Sequence, residues 1–175
     1  FLGISLLGVV ILSDSFSLRG IVEAQSDGWY VIPQFIGFIV FMVAALAESH
    51  RWPFDLPEGG AESISGFNTE FSGMKFGLFF VGEYIGMLFM ACLIPVLFFG
   101  GWHAPFGWEF GNEIISGLFW MAAKTSVFIV FFVLVRAALA RPRYDQLMSY
   151  GWLVMLPLSL LNLLITGAIL LMQGS

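Results

Sequence analysis

Apolar residues run along this chain in long unbroken stretches and do not alternate with polar ones. Four such stretches, Trp29–Ala47, Phe76–Phe99, Ile114–Val135 and Trp152–Met172, each reach about 20 residues, the length that crosses a hydrocarbon core ~30 Å thick as a helix. Backbone groups in lipid must be paired within the segment or within a closed barrel, and unalternating runs of this length exclude the barrel. An opening run from Phe1 to Leu12 has no charged flank of a signal peptide. It is shorter than the ~20 residues that span, and reads as the second half of a further helix. The expected fold is all-α: a polytopic transmembrane helical bundle of four complete helices plus part of one more, in a chain that reads as a fragment. No repeat, linker or low-complexity tract divides residues 1–175, so a single membrane domain is expected.

Composition supports this reading. Of 175 residues, 59% are hydrophobic and only 11% charged, with 20 Phe and 6 Trp. A soluble domain of this size cannot bury so much apolar surface, so the lipid bilayer is the expected partner. A net charge of −5 disfavours nucleic acid. Cys92 is the single cysteine, and His50 and His103 lack ligand spacing. No disulfide, metal site or redox centre is expected in this chain.

The basic residues orient the bundle. Arg51 and Lys75 bracket one loop, 51–75, and Arg136, Arg141 and Arg143 fall in another two helices later, whereas the opposite loops carry only Arg19. That asymmetry assigns the 51–75 and 136–147 loops to the cytoplasm. Pro53 and Pro57 stop the helix that enters the first of them. Pro95 and Pro157 lie inside apolar runs, where a packing role is the simpler reading.

Acids complicate the lipid-soluble picture. Glu48 and Arg51 are three residues apart and Arg51 and Asp55 four, the spacing of neighbours on a helix face. Asp55, Glu58, Glu62 and Glu70 load the loop with carboxylates, while Phe54, Phe67 and Phe71 keep it partly apolar. A solvated loop is the plain reading; a loop folded against the membrane or a partner fits the interleaved aromatics. Glu83 lies about 12 Å beyond Lys75, and Lys124 about 18 Å before Arg136, near the midplane. Ionisable groups at such depth are a buried ion pair joining helices or part of a proton-accessible polar path, and the path is the default for groups at depth. No phosphate loop, nucleophile elbow or catalytic residue set is present.

The run Ala47-Glu48-Ser49-His50-Arg51-Trp52-Pro53-Phe54-Asp55-Leu56-Pro57-Glu58-Gly59, then Ser65 to Phe76, then Glu83-Tyr84, closely resembles the H subunit of bacterial NADH:quinone oxidoreductase, respiratory complex I (mitochondrial subunit 1). Gly100-Gly101-Trp102, Lys124, Arg136 and Arg143 to Met148 extend the match, which covers about Phe16 to Pro157. Members of that family contain eight helices, so the chain looks like the C-terminal half. The resemblance implies a translocase subunit without redox centres of its own. It would form part of the quinone-binding chamber and couple quinone (for example ubiquinone) reduction to proton translocation. By matching position, Arg51, Phe54, Asp55, Glu58, Glu62, Phe67 and Glu70 would belong to the quinone-chamber loop. Glu48, Glu83, Lys124 and Arg136 would belong to the proton path.

The other membrane and peripheral subunits of complex I would be its partners and would carry NADH, FMN and iron–sulfur clusters. The location implied is the bacterial inner membrane, multi-pass, or the mitochondrial inner membrane in a eukaryote. Gly60, where the family usually has an acid, His50, where it has Asn, and Ala140-Arg141-Pro142-Arg143 depart from the pattern. Alternative readings are the equivalent subunit of a membrane-bound hydrogenase-type complex and a secondary transporter. The complete Pro-Phe-Asp-Leu-Pro-Glu loop disfavours the first, and the lack of inverted repeats the second.

Overall fold

The computed structural model describes residues 2–26, 28–49, 73–105, 112–138 and 143–173. The elements in chain order are α1 (Leu2–Ser13), a short α2 (Leu18–Glu23), α3 (Phe35–Glu48), α4 (Met74–Phe98), α5 (Glu113–Ala138) and α6 (Tyr144–Tyr150). A π-helical turn, Gly151–Met155, then leads into α7, Leu156–Gln173. No strand occurs among the described residues. Among the described residues, three stretches are long and apolar enough to cross a membrane: Gly77–Phe98, Ile114–Ala138 and Asp145–Met172. The protein is a helical membrane bundle.

The first expected span is shorter than its apolar run. Residues 30–34 form turns, with Gln34 N–H donating to the Tyr30 carbonyl at 2.9 Å, and helix begins only at Phe35. Pro33 is the reason, since it has no N–H and pushes Ile32 out of the helical region. The 14 residues of α3 therefore rise only ~21 Å. The last span is longer than its apolar run, because the amphipathic segment from Tyr144 joins it. Pro157 accounts for the π turn between them: its ring clashes with the carbonyl four residues back, so the preceding turn widens and Leu156 N–H reaches back five residues to Gly151 O.

Helices α1, α3 and α7 pack on one another, α2 and α5 both pack on α4, and α3 joins the two groups. The core between them is aromatic. Phe41, Phe98 and Phe132 are fully buried together with Ile94 and Leu97. Phe38 meets Phe98 edge-on at 5.3 Å and Phe99 at 5.6 Å, geometries that add to plain area burial. The outer faces of α4, α5 and α7 expose large apolar side chains, Leu118 at 73% and Leu171 at 77% among them, as lipid-facing helices do.

One end of the bundle gathers the ends of α1, α4 and α7 with the starts of α3 and α5. The other carries the end of α3 at Glu48, the start of α4 and the end of α5 at Arg136.

Candidate functional site

The most tightly built polar site lies where α4 ends. Pro95 leaves the last turn of α4 with fewer paired groups, and the chain escapes through two glycines in left-handed conformation, Gly100 at φ +69° and Gly101 at φ +49°. A Cβ on Gly101 would also stand 2.9 Å from Cγ2 of Val22, so this turn admits only glycine there. Phe99 and Gly101 N–H both donate to Pro95 O, at 3.0 and 2.9 Å.

Two side chains complete the turn. Gln25, 2% exposed, donates its amide to the carbonyls of Val96 and Leu97, each at 3.1 Å, and accepts Gly100 N–H at 2.8 Å. Those carbonyls belong to the last helical turn, which has no partners within its own helix. Lys124, in the middle of α5, supplies the charge. Its Nζ donates to Phe99 O at 2.7 Å, Gly101 O at 3.0 Å and His103 O at 2.7 Å. An ammonium has three protons, and three carbonyls receive them. The cation also lies 5.6 Å from the centre of the Trp29 ring and at the negative end of the α4 dipole.

This placement separates the candidate proton-path residues. Phe99 follows Glu83 by sixteen positions, about 24 Å along the helix, so Lys124 reaches the far end of α4 from Glu83 and the two do not form an ion pair. Glu83 is half-buried, while Glu48, the last residue of α3, and Arg136, in the last turn of α5, are exposed. These three lie in the half of the bundle opposite the Lys124 cage. Arg51, Phe54, Asp55, Glu58, Glu62, Phe67 and Glu70 lie outside the described residues. So do the departures His50, Gly60 and Ala140 to Pro142.

A second polar group joins α1, α3 and α7. Asn162 donates its amide to Gln34 Oε1 at 2.7 Å, Gln34 donates in turn to the Thr166 hydroxyl, and Thr166 donates to Asn162 O at 2.8 Å. All three are buried. Gly37 and Gly8 make room: a Cβ on Gly37 would come within 2.8 Å of Gln34 Oε1. Charge-based reading of the sequence passed over Gln25, Gln34, Asn162 and Thr166. The available signal was an uncharged polar residue inside or beside an apolar run, close to small residues.

The comparisons with known proteins bear on what this bundle belongs to. A family model described as NADH dehydrogenase matches residues 1–167. The chain belongs to the NADH dehydrogenase family. Among its relatives is the H subunit of the NADH-quinone oxidoreductase of Methylococcus capsulatus, 59% identical over 169 residues, or 97% of this chain and 51% of the relative. The chain thus spans about half the length of the curated relative it matches. The NADH dehydrogenase match takes in α1 to α5 entirely, including the glycine turn and Lys124, and most of α7.

Proposed function

We propose that this chain is part of the membrane subunit of a proton-pumping NADH:quinone oxidoreductase, resident in a bacterial inner membrane or its mitochondrial counterpart. It contributes to the quinone chamber and to the coupling of quinone reduction to proton translocation. The observation that carries this reading is 59% identity, over nearly the whole chain, to a relative named for that subunit. In this role the chain holds no redox centre. NADH, FMN and iron–sulfur clusters reside in partner subunits, and quinone is a bound substrate. Arg51, Phe54, Asp55, Glu58, Glu62, Phe67 and Glu70 are this chain's quinone-chamber residues.

Glu48 and Glu83 are the acids of the proton path, and Lys124 and Arg136 its basic groups. The geometry supports a path at the end of the bundle where α3 finishes and α4 starts: Glu48 is the last residue of α3, and Glu83 is about 14 Å into α4 from its first residue. A carboxylate at such depth is costly unless it is paired, protonated or in contact with water.

The test is made on the purified native complex carrying Arg51→Ala or Asp55→Asn. Quinone reduction should fall while NADH oxidation by an artificial acceptor persists. A parallel fall of both activities in a fully assembled complex would remove the loop from quinone chemistry.

A further inference from the structure

The Lys124 cage lies beside an open cleft of about 720 Å³ lined by Arg19, Trp102, His103, Ile114, Ser116 and Gly117. The same short turn, Gly100 to His103, forms both structures. His103 lines the cleft, and its carbonyl accepts from Lys124 on the inner side. Solvent entering the cleft therefore reaches a partition one turn thick, with an ammonium behind it and the Arg19 guanidinium in its wall. Arg19 is 80% exposed and is held at 2.9 Å by Glu23, one helical turn on.

From this arrangement we propose that Lys124 is a fixed cation that closes the non-cytoplasmic side of the bundle against protons and other cations. Its part in the path is to bound it. Three features separate a lock from a relay. All three ammonium protons are engaged by backbone carbonyls, so releasing one would leave carbonyls unpaired in a buried turn. The acceptors are fixed in place by Gln25 and by the two left-handed glycines. Glu83, the nearest path acid along α4, is about 24 Å away along the axis, beyond direct exchange. A fixed positive charge at a constriction is an effective barrier to cations and protons. At the next position of α5, the Thr125 hydroxyl is buried without a hydrogen-bond partner among the described residues. The inference rests on the reading above for the assembly and for which side faces the cytoplasm.

The experiment uses the assembled complex in liposomes with no NADH or quinone present, so its outcome is independent of the redox assays. A pH jump is imposed, and its decay is followed with a pH-sensitive dye. Lys124→Gln should collapse the gradient several-fold faster than the native complex, whereas Lys124→Arg, which keeps a cation at this turn, should stay close to native. A second measurement does not require the lysine variant to assemble. In a Cys92→Ser background, Thr125→Cys should resist a membrane-impermeant thiol reagent added from the non-cytoplasmic side while Lys124 is present. An assembled Lys124→Gln complex that holds its gradient as long as the native one would overturn the proposal. Rapid labelling of Thr125→Cys with Lys124 intact would do the same.

Discussion

Replacing Gln25 by Leu should cost more stability than any exposed change in the same region. Gln25 and Leu have similar bulk, so the perturbation is chemical. The substitution strips the acceptor from Gly100 N–H, bonded at 2.8 Å, and the amide donor shared by the Val96 and Leu97 carbonyls at 3.1 Å. A buried backbone N–H left unpaired costs about 1–3 kcal/mol, and losing the shared donor adds about 1 kcal/mol. The apolar leucine returns less than about 1 kcal/mol of that, because the site is already out of water. The net expectation is a loss of roughly 1–4 kcal/mol.

Trp29 reports on the transition, since its ring lies 5.6 Å from Phe99 at the same turn. Intrinsic tryptophan fluorescence, to which Trp29 contributes beside five other tryptophans, is followed while purified protein in mild detergent is titrated with a denaturing one. Glu23→Gln serves as the reference, because its ion pair with Arg19 is exposed on both sides and should be worth within about 0.5 kcal/mol. If Gln25→Leu shifted the transition no more than Glu23→Gln, the side-chain cap on α4 would carry no stability and the argument would fail.

Other expectations follow from the same geometry. Gly37→Ala should destabilise by about 1–3 kcal/mol, because the new Cβ would meet Gln34 Oε1 at 2.8 Å and Asn162 Nδ2 at 2.9 Å. Gly167→Ala, with nothing within 4 Å, should be neutral or stabilise by up to about 1 kcal/mol; equal effects in the same titration would contradict the packing. Cysteines at Ser149 and Ala104 should react with an impermeant reagent from opposite faces, and labelling from one face would break the topology. Glu83→Gln should lower quinone reduction and pumping together while Glu83→Asp retains part of both, since glutamine keeps the shape but cannot exchange a proton near neutral pH. Normal pumping by a correctly assembled Glu83→Gln complex would remove Glu83 from the path.

Hydrophobic length alone made the helical membrane bundle legible, because lipid leaves so few ways to satisfy a backbone. The loop motif from Ala47 to Phe76 made the family legible, through residue identity and not through physics. Depth along a helix was readable too, since rise per residue is constant. What a deep side chain touches was not. Lys124 could be placed near the middle of its helix, but its direction depends on where Pro95 and two left-handed glycines turn the chain back, which puts its acceptor carbonyls on residues 21 to 25 positions earlier in the sequence. Pairing Lys124 with Glu83 looked open on charge alone, and only the antiparallel packing of α4 on α5 separates them. Gln34 and Asn162, 128 positions apart, meet for the same kind of reason. Local sequence fixes the period and length of each helix. Contact between helices depends on tertiary packing, where glycine gaps and the demand that buried polar groups be paired choose one arrangement among many.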